Sequence, residues 1–390
     1  MKRRLKILII GGGMYVTGKG TDNFGTILPA LFASSKYVDI EKILLCTTNV
    51  QSSKFANQCF KKINQFHKSN FRFEAFPKIK KNINEYKYIA LKHKPDAAIV
   101  CVPDHLHYKI TSYLIKLKIH CLVVKPLSDK TIHAKKLLEL TEKNKVLGRV
   151  EFHKRYDEAN LIIKNKIKNN ELGSLLYAVV EYSQRKIIPT KIFKKWSSKS
   201  NVFQYLGVHY VDLIYFLTNF KPLKVFAWGQ KEFLKNKNIN TWDSIQVIIE
   251  WKKPNGKIFV TNHITNWIDS NSSSAMSDQK FSIIGTKGKV VSDQKNRGLQ
   301  IINDNKNVQD INPYFSSLNK FSKDQEFFFG YGIKSVTEFI KDINSIINYK
   351  QNYKNFIIER SSFKESIIST AIIEAVNISL ITKKSQIVKF

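Results

Sequence analysis

Six short apolar runs punctuate the first 150 residues: Leu5–Ile10, Ile43–Cys46, Phe71–Phe76, Ala97–Val102, Cys121–Val124 and Val146–Phe152. Most of them lack the in–out alternation of a strand with one wet face, so as a set they read as strands covered on both sides. Helical periodicity fills the gaps. Ile27, Leu28, Leu31 and Phe32 share one face; Tyr113, Leu114 and Leu117 form part of another. Leu137, Leu138 and Thr141 belong to a third, with Ser128 or Asp129 placed to cap it. Strand followed by helix, repeated, predicts a parallel, doubly wound sheet.

The texture changes after about residue 150. A helix is expected over 157–168, a strand over Leu175–Tyr182 and a helix over 203–217. Strands then follow in close succession: Leu223–Gly229, Ser244–Trp251, Lys257–Asn266, Lys280–Ile284, Gly288–Ser292 and Leu299–Ile302. Turn signals such as Pro254-Asn255-Gly256 and Gly285-Thr286-Lys287-Gly288 separate them, which predicts a large, mostly antiparallel sheet. Helices near 334–347 and 364–381 close the chain. The reading is an α/β protein of two domains, 1–150 and 151–390, the second of α+β type.

At 390 residues the chain is long enough for two cores. Its formal charge is +33, but the lysines are dispersed, with no arginine-rich arm and no basic run interleaved with aromatics. That charge reads as a solvated surface and a coding bias, not as a nucleic-acid face. Cys46, Cys59, Cys101 and Cys121 show neither metal-type nor redox-type spacing, and no metal site is expected. The basic start before Leu5 imitates a signal peptide, but its apolar run is short and ends in glycines. No later run reaches the length of a membrane span. The expectation is a cytoplasmic protein without membrane or nucleic-acid partners.

Gly11 and Gly13 follow the first strand at once, where a Rossmann dinucleotide-binding domain places its phosphate loop. The third glycine position is Val16, the next helix is expected only near Thr26, and Gly25 is a displaced candidate for the third glycine. Met14 stands beside the loop. The second strand ends in Cys46-Thr47-Thr48-Asn49, with no carboxylate to repel a 2′-phosphate. This makes Thr47 and Thr48 cofactor candidates and tilts the choice between NAD and NADP toward NADP.

The sharpest pattern runs from Ala97 through Cys101-Val102-Pro103-Asp104-His105-Leu106-His107, then His120-Cys121-Leu122-Val123-Val124-Lys125-Pro126. Phe152-His153-Lys154-Arg155-Tyr156, Gly207-Val208-His209-Tyr210-Val211-Asp212, Ile284-Gly285-Thr286-Lys287-Gly288 and the helix from Thr370 to Val376 follow in order. Together they resemble the glucose–fructose oxidoreductase/inositol dehydrogenase (Gfo/Idh/MocA) family over nearly the whole chain. The resemblance implies that family's two-domain fold and NAD(P)-linked chemistry on sugars, cyclitols and related hydroxy compounds. The lysine of its Lys-Pro pair maps to Lys125 and its helical histidine to His209. Two departures stand out: Val124 replaces the usual glutamate before the lysine, and Tyr205 stands where the inositol-dehydrogenase branch often has an acid.

Hydride transfer needs a partner for the hydroxyl proton, and imidazole titrates near neutrality. His209 is therefore the expected acid/base, with Asp212 assisting it. Lys125, at a strand's C-terminal end, polarises the reacting oxygen. Tyr205, His209 and Asp212 are expected on one helix face. Met14, Pro103, His107 and Lys125 are candidates beside the cofactor; Lys125, Arg155, Tyr156, Tyr205 and His209 are candidates for the substrate. The expected activity is oxidation or reduction of a sugar, cyclitol or nucleotide sugar by a homo-oligomer, dimer or tetramer. Two rivals keep the fold: an NAD-dependent glycoside hydrolase and a non-catalytic dinucleotide sensor.

Overall fold

The computed structural model describes residues 2–304, 306–320, 326–357 and 360–390. The chain packs as two compact units. The first comprises Met1–Ser128, Ile132–Tyr156 and Tyr314–Ser366; the second comprises Asp129–Thr131, Asp157–Pro313 and Ile367–Phe390. A single boundary at residue 150 therefore does not describe the packing, because the chain re-enters the first unit late.

In the first unit β1 (Leu5–Ile10) leads into a one-turn helix α1 (Met14–Thr17) and then α2 (Ile27–Ser34). Next come β2 (Ile40–Cys46), α3 (Val50–His67), β3 (Arg72–Phe76), α4 (Glu85–His93) and β4 (Ala97–Val100). α5 (His107–Lys116), β5 (His120–Val124), α6 (Thr131–Asn144) and β6 (Gly148–Glu151) complete the alternation. All six strands pair in parallel in the order β3-β2-β1-β4-β5-β6. That is the doubly wound dinucleotide order, with its crevice where β1 meets β4. Leu5, Ile7, Ile9, Ile43, Ala97 and Ile99 are fully buried, as the unalternating runs require.

The second unit opens with α7 (Glu158–Lys168), whose N-cap Asp157 accepts the Ala159 N–H. β7 (Leu175–Arg185) follows, then α8 (Val208–Thr218), β8 (Lys221–Gln230), β9 (Ser244–Lys252), β10 (Ile258–Asp269), β11 (Ser277–Gly285) and β12 (Lys289–Asp293). A two-stranded ribbon pairs β13 (Leu299–Asn303) with β14 (Lys306–Ile311). The large sheet runs β12-β11-β7-β10-β9-β8-β17, with β17 at Gln386–Ile387. It is antiparallel except for the β7–β10 pair.

Before α8 the chain makes a π-helical turn over Phe203–Gly207. The expected continuous helix over 203–217 is thus broken at its start. The wider turn also breaks the 3.6-residue register that would set Tyr205 four residues behind His209 on one face.

The β15 (Ser317–Lys320)–β16 (Glu326–Phe329) hairpin and α9 (Tyr331–Tyr349) belong to the first unit. Val336, Phe339, Ile340 and Ile343 of α9 join its core. α10 (Phe363–Thr382) places Ile368, Ala371, Ile372 and Val376 in the core of the second. By length and composition α10 could cross a membrane, contrary to the sequence expectation, yet 67% of its most apolar window is buried inside the fold. It reads as a core helix.

Candidate active site

The glycine loop divides its labour residue by residue. Gly11 adopts φ +108°, and a Cβ there would stand 1.9 Å from the Cys101 carbonyl oxygen. It is a packing glycine that lets β1 and the end of β4 approach. Gly13 has nothing within 4 Å of its would-be Cβ. It is the open position of the loop, the one past which a pyrophosphate can draw close to the backbone. The loop thus fits a dinucleotide.

The contrast is testable. Gly13→Ala is expected to fold with a near-native melting temperature but to weaken dinucleotide binding by about tenfold or more, ~1.4 kcal/mol. Gly11→Ala is expected to lower the melting temperature outright, since it adds backbone strain to a clash. Thermal unfolding and titration of the dinucleotide's fluorescence read both. Equal affinity in Gly13→Ala and wild type would remove the loop from the binding site.

Met14 begins α1, so a helical turn follows the glycines at once, earlier than the start near Thr26. α2 begins at Ile27 with Thr26 as its N-cap. Gly25 has φ +75°, and its would-be Cβ lies 2.8 Å from the Met14 carbonyl oxygen and 2.9 Å from the Thr17 nitrogen. It packs against α1 as the displaced glycine should. Between them the loop closes on itself through Thr21 Oγ1 donating to the Gly18 carbonyl at 2.7 Å.

At the end of β2, Thr47 is buried and its hydroxyl donates to the carbonyl of Asn49 at 2.8 Å. Thr48 is exposed. Asn49 caps α3 by accepting the Ser52 N–H at 2.9 Å. Lys19 Nζ donates to Ser52 Oγ at 3.0 Å, which brings a cation to this strand end.

Lys125 follows β5 directly and is 7% exposed. Burial pushes its ammonium down to about 7, and the charges of Asp104 and Glu151 resist that push. His107 is buried at the start of α5. Its Nδ1 lies 2.7 Å from the Pro126 carbonyl and its Nε2 lies 2.9 Å from the Val102 carbonyl. The ring therefore staples the turn after Lys125 to the end of β4. Burial holds His107 below its ordinary value, against the two carbonyls, each of which favours a protonated ring nitrogen. Pro103 precedes the short 3-10 turn Asp104–Leu106, and its carbonyl accepts the Leu106 N–H at 2.9 Å.

Arg155 is buried and pairs with Glu365 at 2.5 Å. Burial raises the Tyr156 hydroxyl above its ordinary value, against the charges of Arg149, Arg360 and Arg155. Both side chains thus have partners inside the first unit.

In the second unit His209 and Asp212 are buried on α8, with the Tyr182 ring 6.1 Å from the imidazole. Tyr205 packs among Phe193, Trp196 and Trp267, with ring centroids 5.0, 5.7 and 5.9 Å away. His263 is fully buried with Nε2 2.9 Å from Thr261 Oγ1, and burial pushes it down to about 3. It is a neutral core residue.

Sequence reasoning passed over a polar cluster in the first unit. Glu151, at the end of β6, accepts from Ser335 Oγ at 2.7 Å and lies 3.2 Å from His153 Nδ1. Tyr15 Oη stands 3.3 Å from the same imidazole nitrogen. Among the described residues, no group of three or more His, Cys, Asp or Glu side chains could hold a metal ion.

Comparison with known proteins agrees with this geometry. Residues 5–152 match the oxidoreductase family with an NAD-binding Rossmann fold, and residues 161–291 match the GFO/IDH/MocA C-terminal domain. Glucose-6-phosphate 3-dehydrogenase of Bacillus subtilis is 24% identical over 72% of this chain and 77% of its own. The uncharacterized oxidoreductase YrbE of the same organism is 23% identical over 61% of this chain and 68% of its own. Among solved structures, myo-inositol 2-dehydrogenase from Lactobacillus plantarum superposes with a TM-score of 0.69 at 15% identity, covering 99% of this chain and 100% of that one. Scyllo-inositol dehydrogenase from Lactobacillus casei, solved with NAD(H) and scyllo-inositol, gives 0.68 at 14% identity, covering 99% of each. With both domain models matched in order and a glycine loop built for a dinucleotide, the chain belongs to the Gfo/Idh/MocA family of NAD-binding oxidoreductases.

Proposed function

We propose that the chain is an NAD(P)-dependent dehydrogenase or reductase acting on a CH–OH or C=O group of a sugar, cyclitol or nucleotide sugar. The observation that carries this is Lys125: a buried side chain just after a strand beside the glycine loop's sheet crevice, its ammonium pushed down to about 7 by burial. The nicotinamide, when bound, supplies or accepts the hydride. Lys125 donates to the reacting oxygen and steadies negative charge that develops there. His209 carries the hydroxyl proton and Asp212 supports it, a role suited to imidazole at neutral pH. We assign Arg155 and Tyr156 to the internal cohesion of the first unit, and Tyr205 to aromatic packing.

NADP is favoured over NAD. The strand end that meets the adenosine ribose carries Thr48, Ser52 and the nearby Lys19 ammonium, and no carboxylate. Self-association fits the second unit's sheet, where Tyr177, Trp228, Ile248, Ile264 and Val291 lie exposed on one face. Four unpaired cysteines suit a cytoplasmic location.

The test is a screen of sugars, cyclitols and nucleotide sugars with each dinucleotide, followed by nicotinamide absorbance. Net turnover with at least one substrate is expected, higher with NADP, and lost in His209→Ala. Product formation with no net change in the dinucleotide would favour the glycoside hydrolase; a blank throughout would favour the sensor.

A further inference from the structure

The first unit has a second concavity, at the other end of its parallel sheet. Gly11 and Lys125 follow the C-terminal ends of β1 and β5. A cavity of about 340 Å³ opens instead where β4 and β5 begin, lined by Asp96, just before β4, and His120, the first residue of β5. The five residues of β5, about 16 Å of extended chain, set it apart from Lys125.

Leu91, Leu117, Ile119 and Ile347 give the cavity apolar walls, while Arg3, Lys94 and Lys118 bring cations to it. The one carboxylate, Asp96, is already answered. Its Oδ1 pairs with Arg3 at 2.5 Å and its Oδ2 accepts the Lys6 N–H at 2.8 Å. The helix ends here are closed too. The Lys94 N–H reaches the Ala90 carbonyl of α4 at 3.0 Å, and the Lys118 N–H reaches the Ile115 carbonyl of α5 at 2.8 Å.

One donor is left over. His120 is 6% exposed, and its Nδ1 accepts the Leu147 N–H at 2.8 Å, which leaves the ring proton on Nε2. Burial pushes the imidazole down to about 4, so the ring is neutral at pH 7. Nε2 meets no acceptor among the described residues and stays accessible from the cavity that the ring lines. A nearly buried donor without an acceptor costs free energy that a ligand's oxygen can recover.

We propose that this cavity is a second binding site, one that takes an organic monocarboxylate with an apolar body. The body lies against Leu91, Leu117, Ile119 and Ile347, and the carboxylate accepts from His120 Nε2 beside the exposed ammonium groups of Lys94 and Lys118. The volume suits a small molecule. With Arg3 spent on Asp96, the two lysines set the sign of the ligand. A phosphate is less suited: the Asp96 charge at the wall weighs more heavily on a dianion, and one buried donor cannot serve three strong acceptor oxygens. The site shares no residue with the glycine loop or Lys125, so it goes beyond the dehydrogenase reading and does not depend on it.

The experiment titrates histidine-labelled full-length protein with octanoate, octylamine and octyl phosphate, without substrate or dinucleotide, and follows the ring 13Cε1–1H resonances. Octanoate is expected to shift the His120 resonance saturably, that resonance being the one missing from His120→Asn. Octylamine should leave it in place, and octyl phosphate should bind no more tightly than octanoate. Lys94→Glu/Lys118→Glu changes only exposed positions, so it should fold, and it should weaken octanoate by about fivefold or more. Should His120→Asn fail to fold, the resonance is assigned through its contact with the Leu147 amide, and the double variant carries the test. An unmoved His120 resonance, an equal response to octylamine, or unchanged affinity in the double variant overturns the proposal. Tighter binding of octyl phosphate overturns the choice of a monocarboxylate.

Discussion

Lys125→Met is expected to lower kcat/KM by about 10²–10³-fold, the cost of losing one preorganised donor at a developing oxyanion, while dinucleotide affinity stays near the wild type. Methionine keeps the length and removes the charge, so the loss isolates the ammonium. Stability should move the other way. Burial holds the folded ammonium near 7, against 10.5 for the ordinary side chain. Between those values the unfolded chain binds the extra proton, so the lysine contributes full stability only above 10.5 and loses it as pH falls toward 7. At neutral pH the burial of the ammonium is therefore a net cost to folding, which methionine removes. The variant should therefore melt higher and work far less, as expected where function is held against stability. The sign of the pH profile adds a check. If the ammonium is the working form, wild-type kcat/KM declines as pH rises through about 7. A rising profile would show that the neutral amine works as a base, and full turnover in Lys125→Met would remove the residue from the chemistry.

Much of the fold is legible where burial and composition coincide. β1 is found to the residue because a run with five apolar positions out of six ends abruptly in glycines. The Rossmann strands are found as a set, with ends shifted by a few residues, because strands covered on both faces have no polar phase to obscure them. α3 is harder to read. It buries only Ser53, Ala56, Cys59 and Ile63, a stripe too small and polar to stand out. The return of residues 314–366 to the first unit is illegible for another reason. The periodicity of α9 shows that it has an apolar face, not which core covers it. The π-turn at Phe203–Gly207 has no signature of its own in the sequence.

The site divides in the same way. Lys125, Gly11 and Gly13 announce themselves because a strand end and a tight turn constrain the local chain. Glu151 does not, since a carboxylate at the end of a short apolar run reads as the point where a strand meets solvent. Its burial and its partners appear only once β6 packs within the unit, with Ser335 of α9 donating to it. His107, whose spacing makes it a cofactor candidate, has both ring nitrogens facing backbone carbonyls, which spacing alone does not reveal. Arg155, a substrate candidate by sequence, is paired with Glu365, a partner 210 residues away that the sequence does not signal.

The largest expected loss of stability lies away from the chemistry, at Arg149 and Asp342. Arg149, on β6, is 1% exposed and forms an ion pair with Asp342 on α9, which is also buried. The guanidinium accommodates its burial poorly: Nε and Nη1 have no hydrogen-bond partner, and burial lowers it to about 10. Arg360 leans on the same carboxylate at 2.8 Å. Asp342→Ala strands a cation in the core, so it should cost about 3–5 kcal/mol, or roughly 6–20 °C in melting temperature for a unit of this size. Because the intact pair is itself expensive to bury, replacing both partners should cost much less than replacing one. Arg149→Met/Asp342→Leu is therefore expected to recover most of the lost melting temperature, a coupling that a double-mutant cycle measures directly. Additive losses in that cycle would show that each residue stabilises the unit through contacts of its own, and that the pair is not what joins α9 to the parallel sheet.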